Sequence, residues 1–162
     1  MNKVINEVTI RCGKPSDVSS LLALIKELAQ YEKAPNEVIV TEEILLNDGF
    51  GQNPIFKFFV AEHQKQIVGI ALYYIKYSTW KGRCIFLEDI VVKESYRQKG
   101  IGQLLFNEVC KVAKNEQVQR LEWQVLNWNT PAINFYKKNK ATFDDEWINC
   151  KLTFNDLQSL PL

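Results

Sequence analysis

Histidine occurs once in these 162 residues, as His63, and that scarcity removes much chemistry at the outset. A His-rich metal site and any mechanism that needs two imidazoles are excluded, and no metal is expected. A Ser-His-Asp or Cys-His device would have to use this single ring, and no G-x-S-x-G elbow accompanies it. In "FFVAEHQKQIVG" the ring stands where one strand turns into the next, the place of a solvated turn residue. The four cysteines, Cys12, Cys84, Cys110 and Cys150, include no C-x-x-C pair, and no apolar signal-peptide core opens the chain. Both absences point to a reducing cytoplasm. Charge of one sign is missing too: 20 basic residues stand against 19 acidic ones. No bulk field would draw the protein onto nucleic acid or an anionic membrane, so neither is expected as a partner. No apolar run approaches the roughly 20 residues of a membrane-spanning helix.

What is present is apolar patterning, 46% of the chain, enough for one continuous core and a single domain over residues 1–162. "EVTIR" alternates like a strand. In "KPSDVSSLLALIKELAQYE", Val18, Leu21, Leu22, Ile25, Leu28 and Ala29 recur at helical spacing behind Pro15. "VTEEILLNDGFG" has a helix start at Thr41 and a stop at Gly49. "IFKFFVAEH" and "QIVGIALYYIKYS" form an antiparallel hairpin across "QKQ", with "RCIFLEDIVV" as a third strand beside them. A helix carrying Ile101, Leu105, Val109 and Val112 follows, then a strand over "VQRLEWQVL", a helix over "NTPAINFYKKN" and a closing strand over "EWINCKLTF". The order βααβββαβαβ predicts an α/β domain whose mixed, mostly antiparallel sheet is flanked by helices and turns parallel around the one βαβ unit.

"RQKGIG" between the third strand and the next helix admits several readings. A dinucleotide fingerprint would need a third glycine where Leu105 stands, and would place its first glycine just after the strand, whereas "KESYRQK" separates Val92 from Gly100. Glu122 does fall about 20 residues beyond Gly102, as that motif prefers. A Walker A loop lacks its Gly-Lys-Ser/Thr. Two readings remain open: glycines that merely let the chain enter a helix, or a pyrophosphate cradle. In the cradle, the amides of Gln98, Lys99, Gly100, Ile101 and Gly102 and the positive helix end would bind an anion, with Arg97 and Lys99 adding charge.

Arg97, Gly100 and Gly102 in this loop resemble the acetyl-coenzyme A signature of the GNAT acyltransferases. "LNWNTPAINFYKK" resembles the second motif of that family, in which an asparagine opens the last helix and a tyrosine faces the thioester sulfur; Asn129 and Tyr136 match. "IKELAQYE", "DGFG", "YSTWKGR", "FLEDIVV" and "WNTPAINFYKK" together resemble the diamine acetyltransferase branch, which includes spermidine/spermine N1-acetyltransferases and thialysine N-epsilon-acetyltransferases. Ser78 and Thr79 stand where the polyamine enzymes carry Asp-Pro, as in the thialysine branch. The family usually has Gly-Ala after the tyrosine helix. Here Lys140-Ala141 replaces it, and Asn139 is expected to take the left-handed cap.

The resemblance implies a GNAT fold, acetyl-CoA as co-substrate, direct attack by a small amine in a ternary complex, and a homodimer. A primary amine of pKa near 10.4 must lose a proton before it attacks. Glu88 and Asp89 are adjacent in a strand, so alternation sends their side chains to opposite faces. The resemblance selects Glu88 as general base, with Asp89 as a second amine contact or a structural partner. Tyr136 is the expected proton donor to the departing thiolate. The backbone of Ile90, Val91 and Val92 is placed to pair with the pantetheine arm as an added strand would. Tyr31, Glu32, Trp80, Glu146 and Trp147 are implied as the amine site, acid and aromatic together suiting a cation, with Lys81 or Arg83 for an α-carboxylate. The expected acceptor is thialysine or a lysine-like amino acid, then a polyamine. A ping-pong route through Cys84 or Cys150, a protein lysine or N-terminus as acceptor, and a non-catalytic acyl-CoA-binding sensor or scaffold are the alternatives.

Overall fold

The computed structural model describes residues 3–161. Backbone proximity divides the chain into two compact units, Met1–Gln124 and Val125–Leu162. The first unit is built on a five-stranded sheet in the order β1-β2-β3-β4-β5. Its strands are β1 (Val8–Cys12), β2 (Lys57–His63), β3 (Gln66–Ser78), β4 (Gly82–Val92) and β5 (Leu121–Glu122). The first three pairings are antiparallel and the last is parallel. The mixed, mostly antiparallel sheet expected from the sequence is therefore present.

Both faces of the sheet are covered, which is why β2 reads as a nearly unbroken apolar run. On one face Phe58, Val60, Ile70, Leu72 and Val91 pack with Val18, Leu21 and Leu22 of helix α1 (Val18–Tyr31) and Leu45 of α2 (Glu42–Phe50). On the other, Phe59, Ala61, Ala71 and Tyr73 are buried together with Ile101, Leu105, Phe106 and Val109 of α3 (Ile101–Asn115). Leu21 and Leu105 are fully buried, and burial of each contributes about 2 kcal/mol. Asp17 ties β1 to the start of α1. The Arg11 guanidinium donates to both its carboxylate oxygens at 2.6 and 2.9 Å and to Glu62 at 2.8 Å. That pairing holds the Asp17 carboxyl below the usual range.

Several local expectations need correction. Pro15 opens a 3-10 turn, Pro15–Asp17, that precedes α1, and α2 runs through Gly49 to Phe50 with Gly51 as its cap. His63 is not a solvated turn residue: its side chain is buried, because β2 continues through it and β1 begins opposite it, at Val8. The hairpin turn is only Gln64 and Lys65, both left-handed at φ 49° and 64°, as a two-residue turn requires. The strand expected over "VQRLEWQVL" pairs only at Leu121 and Glu122. Beyond Phe86 a bulge in β4 breaks the ladder, and bulges commonly end a pairing in this way.

The second unit holds α4 (Thr130–Lys138) and α5 (Phe154–Ser159). The closing strand expected over "EWINCKLTF" does not form. A strand needs a partner for its backbone groups, and the described residues of this unit offer none. Thr153 and Asp156 form a reciprocal capping box that draws Phe154 into a helix instead. After α4 the left-handed residue is Lys140 at φ 60°, while Asn139 stays at φ −86°. Lys140 thus takes the conformation usual for glycine itself, at about 1 kcal/mol, and the Ala141 amide reaches back to the Tyr136 carbonyl.

Candidate active site

β4 leads through a 3-10 turn, Glu94–Tyr96, into the glycine loop and then α3. Gln98 has φ 60° and Gly100 φ 88°, so the chain twice takes the left-handed region within three residues. A Cβ on Gly100 would also lie 2.6 Å from Ile5 Cδ1, so glycine is needed there for conformation and for space. Among the described residues the amides of Gln98, Lys99, Gly100, Ile101 and Gly102 donate to no backbone carbonyl. Five such donors in sequence, at the positive end of a 15-residue helix, fit a pyrophosphate.

The two cations of the loop already have protein partners. Arg97 Nε donates to the Val92 carbonyl at 3.0 Å, Arg97 Nη2 lies 3.8 Å from Glu27, and the guanidinium sits 4.9 Å from the Tyr31 ring centre. Lys99 Nζ donates to the Ser95 carbonyl at 2.6 Å and lies over the Tyr96 ring. Arg97 therefore braces the loop against α1, and Tyr31 stacks on that cation. Upstream, Ile90, Val91 and Val92 pair on one side with Ala71, Ile70 and Gly69 of β3. β5 covers the opposite edge of β4 only at Ile85 and Phe86. Among the described residues the strand edge running into the glycine loop is thus free of a strand partner, as an amide-bearing arm would need.

Acidic side chains collect where β4 bulges. Leu72 pairs with Asp89 but Tyr73 with Leu87, leaving Glu88 as the extra residue. The strict alternation expected of Glu88 and Asp89 is interrupted here, and a bulge re-aims the side chains it carries. Glu88 is exposed in a groove of about 730 Å³ that Phe56, Leu72, Tyr74, Ile75 and Arg83 also line. Burial first, then the neighbouring Glu88 carboxylate, raise the Tyr74 phenol. Asp89 is half-buried. Burial first, then the charges of Glu88 and Glu32, push its carboxyl up to about 6. Burial likewise raises Glu32, the residue capping α1. The structure therefore brings Glu32 and Glu88 each within electrostatic reach of Asp89.

Trp80 is not among them. It lies at the tip of the β3–β4 hairpin, 80% exposed, and Ser78 there is five residues beyond Tyr73, roughly 17 Å of strand. Lys81 is exposed at the same tip, and Arg83 pairs with Glu116 at 3.2 Å. In the second unit Asn129 caps α4, its side chain accepting from the Ala132 amide at 3.3 Å. Tyr136, two turns on, is buried, with its ring edge-on to Phe135 at 5.2 Å. Glu146 and Trp147 are exposed in the irregular stretch before α5. Sequence reasoning missed Tyr74 and the bulge. An aromatic in a strand carries no mark of what its hydroxyl meets.

Residues 21–140 match the acetyltransferase (GNAT) family. Thialysine N-epsilon-acetyltransferase of Bos taurus is 44% identical over 138 residues, 80% of this chain and 81% of that protein. The protein of the same name from Mus musculus is 42% identical over 162 residues, 93% of this chain and 95% of that protein. Among solved structures, an integron cassette protein from the mobile metagenome of V. cholerae superposes with a TM-score of 0.77 at 25% identity, covering 94% of this chain and 96% of that one.

Proposed function

The chain belongs to the acetyltransferase (GNAT) family, and on that premise we propose that it moves an acetyl group from acetyl-CoA to the primary amine of thialysine or a lysine-like amino acid. The observation that carries this reading is continuity. An acidic cluster at the β4 bulge adjoins an open strand edge, and that edge runs directly into a row of amides at a helix N-terminus. An acid cluster suits a cationic acceptor, and a neighbouring strand edge suits an amide-bearing donor. The likeness to thialysine enzymes over 80% or more of the chain supports the acceptor class. The family match crosses residues 124 and 125, which supports one functional domain over 1–162.

Acetyl-CoA supplies the activated acetyl group as a thioester. Gln98 to Gly102 would hold its pyrophosphate by backbone amides, and Ile90 to Val92 would align its arm along β4. Glu88 accepts the proton of the bound ammonium, directly or through a water in the groove that Tyr74 also lines. Asp89 and Glu32 hold the cation by charge, with Tyr31 beside them. Tyr136 donates a proton to the departing sulfur, and Asn129 sets the start of the helix that carries it. Trp80, Glu146 and Trp147 remain proposed amine contacts.

Release of coenzyme A by the purified protein against thialysine, lysine, ornithine, spermidine and spermine tests this. Thialysine is expected to give a kcat/KM at least tenfold above spermidine. A preference for spermidine would move the reading to a polyamine enzyme, and acetyl-CoA binding without turnover of any amine would favour a silent acyl-CoA binder. We also propose a homodimer. Tyr77 and Trp80 on the β3–β4 hairpin are 73% and 80% exposed, more aromatic surface than one copy shields on that arm. Sedimentation equilibrium should give twice the 18.8 kDa chain mass; a monomer at micromolar concentration would refute it. The four thiols, none in a disulfide, suit a cytoplasmic protein.

A further inference from the structure

The single histidine lies outside the chemistry described so far, yet it is buried and both its ring nitrogens are engaged. Nε2 is 3.3 Å from Glu7 Oε2 and Nδ1 is 3.2 Å from the Tyr96 hydroxyl. Glu7 ends the N-terminal 3-10 turn, Lys3–Glu7, and Tyr96 ends the turn that feeds the glycine loop. A carboxylate only accepts, so Nε2 carries a proton and donates to Glu7. Nδ1 meets the Tyr96 hydroxyl, and the three groups form one hydrogen-bonded chain. The Tyr96 ring also stands edge-on to the imidazole at 5.5 Å, and Lys99 Nζ lies 4.8 Å from its centre. The same N-terminal turn touches the loop again, since Ile5 occupies the space that a Cβ on Gly100 would fill.

We infer that Glu7, His63 and Tyr96 brace the coenzyme loop, and that His63 is a positioning residue for the pyrophosphate part of the acyl donor. A loop that holds Gln98, a residue with a Cβ, in the left-handed region is conformationally costly. It keeps that shape only if neighbours over-determine it. The brace fixes Tyr96 directly before the loop, and Ile5 limits Gly100 from the same turn. The proposed base and acid, Glu88 and Tyr136, lie on other elements, so the brace bears on donor binding and not on the chemical step. This rests on the reading of the loop as a pyrophosphate cradle.

The test compares acetyl-CoA with S-acetylpantetheine, which carries the same thioester and no pyrophosphate, in wild type, Tyr96→Phe, Glu7→Ala and Glu7→Gln. Tyr96→Phe keeps the ring against His63 and Lys99 and removes one hydrogen bond, worth about a fivefold change. KM for acetyl-CoA should rise about fivefold in Tyr96→Phe and Glu7→Ala, with kcat within twofold of wild type. Glu7→Gln, which still accepts from Nε2, should restore the wild-type KM. The kcat/KM for S-acetylpantetheine should be the same in all four proteins. Equal losses on both donors would mean a general packing defect and overturn the brace, as would an unchanged KM in Tyr96→Phe. If wild type itself does not favour acetyl-CoA over S-acetylpantetheine, the cradle reading fails and the brace with it. A preference kept by wild type and undiminished in the variants sinks the brace alone.

Discussion

Phenylalanine at position 136 is expected to lower kcat about 100-fold, the lower end of what a positioned general acid contributes, while binding of coenzyme A stays within twofold of wild type. Tyr136 is buried on α4 with its ring edge-on to Phe135, and phenylalanine preserves that ring. The change therefore isolates the hydroxyl. Removal of one buried hydroxyl costs about 1 kcal/mol of stability, so the variant should fold, and calorimetric titration with coenzyme A can be run beside the steady-state assay. The departing thiolate is the only species in the reaction that needs a proton at that point, so the loss should fall on kcat and not on either KM. A kcat within threefold of wild type would show that solvent protonates the sulfur and that Tyr136 is a packing residue.

The second large effect belongs to the acidic pair. Glu88→Gln is expected to reduce kcat/KM for the amine about 100-fold, because a carboxamide cannot take the ammonium proton. Asp89→Asn should do less to the rate at pH 8 but should remove the acidic limb of the profile. In wild type the Asp89 carboxyl stands at about 6, raised by burial and by Glu88 and Glu32. Asp89 loses its hold on the cation as it takes up a proton, so an acid limb should lie near 6, and in Asp89→Asn that limb should be absent. Stability gives an independent reading of the same group. An unfolded Asp ionises near about 4, so between that value and about 6 the folded chain keeps a proton that the unfolded chain has lost. Stability therefore falls as pH rises through that window, and the penalty is complete above it. Asp89→Asn should melt higher than wild type at pH 7.5 and level with it at pH 3.5. Equal melting at pH 7.5 would place Asp89 in an environment no more demanding than water.

The positions of α1, α3, the β2–β3 hairpin and the glycine loop were legible because each rests on neighbours in sequence. Helical spacing at Val18, Leu21 and Leu22, the aromatic and β-branched run at Phe58, Phe59 and Val60, and a Gly-x-Gly step before an amphipathic run all lie within one element. The strands at the far end were misread for the opposite reason. "VQRLEWQVL" has the composition of a full strand, but its length was decided by a partner that bulges at Glu88. "EWINCKLTF" has the same composition and meets no strand in its own unit, while a Thr153–Asp156 capping box next to it favours a helix.

His63 shows the same division at a single residue. Its neighbours "HQKQ" place it correctly at a turn, and turn residues are usually solvated. Nothing local announces Glu7, 56 residues earlier, or Tyr96, 33 residues later, which together close over the ring. Arg97 was legible as a cation of the glycine loop by its type and spacing. That it spends its charge on Glu27, the Val92 carbonyl and the Tyr31 face follows from how α1 crosses β4.

The sequence by itself determined the class of fold, the glycine loop ahead of α3 and the adjacent acidic pair in β4, because these follow from side-chain type and short-range spacing. Only the tertiary structure decided which edge of β4 stays open, how the bulge aims Glu88 and lifts Asp89, and what His63 holds. Those are outcomes of pairing and burial between segments distant in the chain, where a partner's geometry, and not a residue's own preference, sets the energy.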